Sequence, residues 1–474
     1  MRMFDAEKLD IFIQSQLSSQ RVPGLSITLT DRQGVLFEKA YGFRDTQHRL
    51  PVTPDTVMCI ASLSKSLTST CVSLLMSEEK LSIWDPVCKY IPDFKIPGTP
   101  KNAVLLHHLM THTTGLPPLP LLAYSYAAHT ARDPGETFPA DTLSGYPPIR
   151  TAQEIVDFIK TGEYIPLGQP GEYMSYCNEG YALLSTIVDI AADMPLEEYM
   201  RRKLFDPLGM VRTSFDLKKL QSMGNITSLF TKNEGGEIIG SDNWPTCPPY
   251  RGCAFIYSTS RDMSRYYSML SQNGVVEGRR ILSEDTVERI VGESTPLYTH
   301  GVYGYGLIKM PWRSEVLFSH TGGNKGVSSV GGFVRGRGIA CCVLANLSHI
   351  NRMPLLDAAI NTWLGVPVDT PRLPYYPSDV KPQEPWIYEG CYGSMDEGLP
   401  PDVHPVVVRL DTDGDVLAKP WGAPEIRLLY CRENVFLAVE ENKGLQSAIP
   451  CRFFVRGDKA WSLGWGTRML QRLG

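Results

Sequence analysis

A serine placed three residues ahead of a lysine can become a nucleophile. In Ser62-Leu63-Ser64-Lys65 a helix would set positions i and i+3 on one face, so Lys65 can lie against the Ser62 hydroxyl. A hydroxyl attacks poorly until a base takes its proton, and a lysine kept neutral by burial can take it. The spacing alone does not choose the serine, because it recurs at Ser77 with Lys80 and at Ser378 with Lys381. Ser378 falls in a proline-rich stretch where no helix would hold the pair. Ser77 falls in a glutamate-rich helix end expected to be solvated. Ser62 alone opens a helix directly behind an apolar run, Val57-Met58-Cys59-Ile60-Ala61, where its own N–H can face a substrate oxygen.

Two further clusters supply groups that such a serine needs. Tyr176-Cys177-Asn178 stands between the turn Gln169-Pro170-Gly171-Glu172 and a helix. Asn178 is a good helix cap and Tyr176 a good core aromatic. A tyrosine beside a lysine can also pass a proton from nucleophile to leaving group. His320-Thr321-Gly322-Gly323 follows the apolar run Val316-Leu317-Phe318. Glycines there serve a hairpin, or let the strand come close to a ligand. In the second case the N–H of Gly323 and the N–H of Ser62 would form an oxyanion hole.

Other chemistries find less support. His108 and His112 have a helical metal-binding spacing, but no glutamate follows His108 as in a zinc protease. Gly322-Gly323-Asn324-Lys325-Gly326 lacks the spacing of a phosphate loop. Trp461 and Trp465 read as core of the C-terminal region. No metal and no cofactor is expected.

The elements that must position these residues can be read from periodicity. A helix over 5–20 and strands over 24–30 and 35–41 open the chain. Helices are expected over 62–79, 102–111, 152–160, 178–192, 196–204 and 353–364, and late strands over 255–258, 316–320, 327–335 and 339–347. Residues 117–150 break the pattern. Their apolar content (Leu119, Leu121, Leu122, Tyr124, Tyr126, Phe138, Tyr146) must cover something, and a lid over the cleft, favouring a bound acceptor over water, is the expectation. Six prolines across 365–386 predict a stiff linker. Short strand-like runs beyond it predict a small antiparallel barrel. The main body is α+β.

The order Ser-x-x-Lys, Tyr-x-Asn, His-Thr-Gly resembles the serine β-lactamase and penicillin-binding protein superfamily. Within it the pattern is most similar to class C β-lactamases and the related carboxylesterases and acyltransferases. Met110-Thr111-His112-Thr113-Thr114-Gly115-Leu116-Pro117 and Phe205-Asp206-Pro207-Leu208-Gly209-Met210 agree. The resemblance covers roughly 5–365 and implies a β-lactamase/transpeptidase-like fold, an antiparallel sheet flanked by helices with a helical subdomain. The expected division is 1–365 catalytic, 366–386 linker and 387–474 a small lipocalin-like β domain. The resemblance makes Ser62 the acylated nucleophile, Lys65 its base, Tyr176 the proton relay and Asn178 a substrate or lysine contact. His320, Gly322 and Gly323 would bind substrate or oxyanion. His320 stands where many lactamases and carboxypeptidases carry lysine. A permanent cation suits a substrate carboxylate and a neutral histidine does not, so esters and thioesters gain weight. No glutamate motif of the class A kind is seen, so deacylation would run through Lys65 and Tyr176.

Composition sets the outer bounds. Lys plus Arg is 46 and Asp plus Glu 51, a net charge of −5, which gives no electrostatic reason to hold nucleic acid or an anionic membrane. No targeting segment or membrane span is read, and the eleven scattered cysteines suit a reduced core, so a cytoplasmic setting is expected. The expected activity is that of a serine hydrolase or acyltransferase, with natural-product metabolism as a setting. Its partner would be a small-molecule acyl substrate, carrier-bound and CoA thioesters included. A non-catalytic binding or sensor protein on the same fold, and a β-lactamase or D-amino-acid peptidase, are the competing readings.

Overall fold

Strand Gly24–Asp31 alternates Leu25, Ile27 and Leu29 with Ser26, Thr28 and Thr30, yet all six side chains are buried. A computed structural model shows why: helices cover both faces of the sheet. It describes residues 4–45, 47, 49–133, 148–233, 235–292, 294–296, 301–373, 375–395, 405–440 and 444–473. The apolar set packs with helices Ala6–Gln20 and Met353–Leu364. The hydroxyl set faces helix Ser260–Ser271, where Thr28 Oγ1 lies 3.0 Å from Ser260 Oγ and Ser264 Oγ donates to Thr28 O at 2.8 Å. Strand Ile339–Ala345 obeys the same rule. Cys341 joins one face and Cys342 the other, so the two adjacent thiols point apart. Among the described residues every cysteine is a free thiol.

Among the described residues nine strands form the main sheet, paired antiparallel throughout. Their order is Ser294–Pro296, Val302–Gly304, Ile308–Trp312, Glu315–Asn324, Val327–Val334, Ile339–Ala345, Gly24–Asp31, Gly34–Asp45 and Leu50–Pro51. The N-terminal hairpin therefore completes a sheet built by the late strands, with Leu25 opposite Ala345. The first three strands of that order escape sequence reading, because Pro296, Gly304 and Pro311 break their alternation.

On the hydroxyl side, helices Ser64–Ser77, Ala152–Thr161 and Asn178–Ala192 share the larger apolar core. One expected helix and one expected strand are shorter than periodicity suggests. The helix expected over 102–111 is Leu106–Thr111, because the residues before it are taken by extended pairing: Val87 N donates to Val104 O at 2.9 Å, and Leu105 bridges to Pro86. The strand expected over 255–258 is only Tyr257–Ser258, preceded by the helical turn Arg251–Ala254. Part of the apolar run 117–150 is the helix Leu121–His129. Residues 134–147, with Phe138 and Tyr146, lie outside the described residues.

The described residues of 365–384 carry no regular structure, but the stretch is not a free spacer. Arg372 Nε donates to Asp357 Oδ1 at 3.0 Å with both side chains nearly buried. Asn361 Nδ2 donates to Val368 O and Thr370 O at 3.2 and 2.9 Å. Beyond it, among the described residues, eight strands from Gly390–Gly393 to Arg468–Arg472 close into an antiparallel barrel, with Tyr392 opposite Arg472. Its interior is filled by side chains, Tyr388, Phe436 and Phe453 at the centre with ring centroids 4.6–5.5 Å apart. No described helix is long and apolar enough to cross a membrane.

Candidate active site

Ser62 sits in a 3₁₀ turn, Ala61–Leu63, just ahead of helix Ser64–Ser77. The tighter turn eclipses side chains three apart, which favours a Ser62–Lys65 contact. Ala61, immediately before the serine, has φ of 47°, a left-handed conformation that costs an alanine about 1 kcal/mol or more. The surroundings hold it there. Ile60 N donates to Ile256 O at 2.9 Å, Ser329 Oγ to Ile60 O at 2.8 Å and Ser64 Oγ to Ala61 O at 2.7 Å. Gly322 belongs to the same brace. A Cβ there would lie 2.6 Å from Ile60 O and collide with Ser329 Oγ. Its missing side chain thus admits the serine's own turn, where sequence reading had the strand approaching a ligand.

Lys65 is fully buried, and its Nζ meets three uncharged acceptors: Ser62 Oγ at 3.1 Å, Asn178 Oδ1 at 3.0 Å and Cys253 O at 3.1 Å. No carboxylate among the described residues pairs with it. The Tyr176 hydroxyl donates to Ser62 Oγ at 3.0 Å, so the serine oxygen is gripped from two sides. Asn178 is the first residue of helix Asn178–Ala192 rather than its cap, which is Cys177. Its amide oxygen is used on Lys65.

His320 lies deeper. Its Nδ1 is 2.6 Å from Thr321 O and its Nε2 3.1 Å from Tyr303 OH. A carbonyl only accepts, so Nδ1 carries the proton and Nε2 accepts from the tyrosine. Burial, reinforced by the Lys65 charge, pushes its pKa down to about 3. His112 stacks on Tyr176 with ring centroids 4.3 Å apart, and its Nδ1 accepts from Cys177 N–H at 3.2 Å. Burial first and Lys65 second hold it well below the usual imidazole range. Both histidines are thus neutral props for the tyrosines around Ser62. His108 Nδ1 accepts from Leu105 N–H at 3.1 Å, and its ring lies edge-on to His107 with centroids 5.8 Å apart.

Ser62, Tyr176, Asn178, His320 and Gly323 open onto a cavity of about 270 Å³. Leu122 and Tyr126 of the 117–150 insertion form one wall. The barrel supplies another through the turn after strand Lys459–Trp465. Tyr176 N donates to Thr467 O at 2.9 Å, Met469 N donates to Ser175 Oγ at 3.1 Å, and Arg468 lines the cavity. Trp461 packs 5.4 Å from Tyr173, so it belongs to this junction and not to the barrel core. Trp465 does pack against the core. Arg352 lines the cavity too. Its guanidinium lies 4.0 Å from where a Cβ at Gly323 would stand, and its Nε has no hydrogen-bond partner among the described residues.

Comparison with known proteins fits this geometry. The family model Beta-lactamase matches residues 9–361. The chain belongs to the Beta-lactamase family. It is 25% identical to Protein flp of Staphylococcus aureus over 44% of its own length and 38% of that protein, so it spans well under half of that relative. It is 23% identical to the Putative D-alanyl-D-alanine carboxypeptidase of Salmonella typhimurium, over 83% of this chain and 92% of that one. The octameric penicillin-binding protein homologue from Pyrococcus abyssi superposes with a TM-score of 0.67 at 26% identity, over 98% of this chain and 99% of that chain.

Within this Beta-lactamase family fold, sequence reading found the groups that lie close to a motif and missed those brought in from afar. Tyr303, the Cys253 carbonyl, Arg352, Thr467 and Arg468 carry no local pattern. His112 lies inside the stretch Met110–Pro117, where its spacing from His108 points only to metal binding.

Proposed function

We propose that the chain is a serine hydrolase or acyltransferase that opens esters, thioesters or amides through an acyl-Ser62 intermediate. One observation carries the reading: Ser62 Oγ lies within hydrogen-bond distance of both Lys65 Nζ and Tyr176 OH, at 3.1 and 3.0 Å, on the wall of a cavity. Acting as the base, Lys65 keeps its N–H bonds on Asn178 and Cys253 and takes the Ser62 proton. Oγ bonds to the substrate carbonyl carbon, and the displaced electron pair goes to the carbonyl oxygen, which the N–H groups of Ser62 and Gly323 are assigned to hold. The bond to the leaving group then breaks, and the proton reaches that group through Tyr176. Water or another acceptor releases the acyl group by the reverse steps. Neutral His320 favours donors without a carboxylate beside it, among them the carrier-bound and CoA thioesters of natural-product metabolism.

Arg352 favours a second reading. Position 320 carries no permanent cation, but the largely buried Arg352 guanidinium lines the same cavity. An amide or β-lactam bearing a carboxylate could pair with it, as the carboxypeptidase relative would suggest. Intact mass after incubation with thioesters, aryl esters, D-alanyl-D-alanine peptides and a penicillin separates the readings by which of them leaves an adduct on Ser62. If none does, and a fluorophosphonate also fails to label, the acyl-enzyme reading falls and the non-catalytic reading replaces it.

A further inference from the structure

A second cavity, of about 410 Å³, adjoins the first. Ile308, His320 and Thr321 line both. The junction has a structural cause. Strand Ile308–Trp312 pairs with strand Glu315–Asn324 only as far as Ile308 opposite Ser319. Beyond Ser319 that neighbour is gone, and at this break in the sheet edge the two cavities share their walls. The remaining lining is mostly apolar and comes from distant parts of the chain: Phe12, Met353, Val368 of the linker, and Leu445 and Ile449 of the barrel.

These walls are fixed. The buried Arg372 to Asp357 pair and the Asn361 bonds pin the linker. Asn351 Nδ2 donates to Ser447 Oγ at 2.9 Å, and Asn351 N donates to Gln20 Oε1 at 2.6 Å. The barrel and the N-terminal helix are thereby tied to the same corner. A preformed, mainly apolar space of this size is typical of small-ligand sites.

We propose that the second cavity receives the apolar chain of the acyl group while its carbonyl carbon stands at Ser62. This rests on the acyl-Ser62 reading. The choice of acyl over leaving group follows from Tyr176, which hands the leaving group its proton. Tyr176 lines the first cavity and not the second, so the leaving group stays in the first. The substrate class is a medium-chain aliphatic or arylalkyl acyl ester or thioester.

The test is the rate of acylation by p-nitrophenyl esters from acetyl to octanoyl, in wild type and in Ala448→Trp and Met353→Trp, which fill the cavity from two sides. Wild type should favour octanoyl. Each variant should lose about tenfold or more on octanoyl and keep the acetyl rate, which also shows that it is folded. A flat chain-length profile in wild type, or equal loss on acetyl and octanoyl in both variants, overturns the proposal. So does a series of acetyl esters with lengthening alcohols in which the variants discriminate on the alcohol side. If no ester acylates Ser62 and a fluorophosphonate and the thioester and amide panel also leave it unmodified, the underlying acyl-enzyme reading has failed, and the cavity assignment goes with it.

Discussion

Helix Ser64–Ser77 has a Ser-x-x-Lys at each end, and the two ends have been put to opposite uses. At the N-terminal end, Ser62 and Lys65 lie on consecutive tight turns, and the lysine is buried among uncharged acceptors. At the C-terminal end the helix stops at Ser77, and Glu79 turns left-handed at φ of 56°, which carries Lys80 off the serine's face. Lys80 pairs with Glu78 at 2.9 Å instead, with its side chain 44% exposed. Ser77 Oγ donates to Ser73 O, lies 2.9 Å from Thr286 Oγ1 and accepts from Arg289 at 2.9 Å. Lys80 is held by a carboxylate at the surface, and Lys65 by uncharged groups in the interior. The same four-residue pattern is therefore the proposed nucleophile and base at one end and a surface ion pair, worth under about 1 kcal/mol, at the other.

Exchanging the serines is the strongest way to break that comparison. Ser62→Ala should abolish covalent labelling by a fluorophosphonate, while Ser77→Ala and Ser378→Ala label as wild type does; peptide mapping of the adduct decides it. Next come the bases. Lys65→Ala and Tyr176→Phe should each lower turnover by about a hundredfold or more with unchanged far-UV circular dichroism, whereas Lys80→Ala should leave turnover untouched. A Lys65→Ala enzyme of near-normal rate would remove that lysine from the chemistry.

The difference between the two ends also explains what the sequence could reveal. Ser62, Lys65, Tyr176 and Asn178 were recoverable because each stands at a helix start, where local spacing has geometric meaning. The α+β body and the barrel were recoverable from alternation and prolines. The left-handed Ala61 has no signature in residue type. Tyr303 reaches His320 only because strand Val302–Gly304 joins the sheet, and that strand is too short and too interrupted to show a period. Arg352 and Arg468 look like any surface arginine until the helix after strand Ile339–Ala345 and the barrel turn bring them to one cavity. What the sequence withheld is long-range pairing.

Each serine also has an arginine within reach, and these sharpen the comparison further. Arg289 donates straight to Ser77 Oγ at 2.9 Å. Arg352 faces the space beside Gly323. Arg352→Gln should raise KM for carboxylate-bearing substrates by about ten- to a hundredfold, the usual scale for losing a charged hydrogen bond, and leave neutral esters unaffected. Arg289→Gln should change neither. Equal losses on neutral and anionic substrates would show that Arg352 only shapes the wall.

The smallest effect is on stability, and it separates the two ends by pH. His320, beside Lys65, has its pKa pushed down from 6.5 to about 3 in the folded chain. Between those values the unfolded chain binds a proton that the folded chain refuses. Folding is therefore favoured above the unfolded pKa, and that contribution is lost as pH falls below about 6.5, by up to about 1.4 kcal/mol per pH unit for the one group. At the other end Glu78 is a carboxylate whose pKa lies below 4.5, because hydrogen bonds from Lys203 and Lys80 outweigh its partial burial. Its contribution is present above 4.5 and disappears only as pH drops through its lower folded value. Denaturant unfolding between pH 7 and 5 should thus show a slope that flattens in His320→Gln and is unchanged in Glu78→Gln. Below pH 4.5 Glu78→Gln should alter the slope as well, while the His320 contribution persists down to about pH 3. His320→Gln will also be less stable at neutral pH, since the Tyr303 contact is disturbed, so the slope and not the absolute stability is the measurement. An unaltered slope in His320→Gln would mean that the imidazole takes up its proton in the folded state, and the neutral box around Ser62 would have to be abandoned.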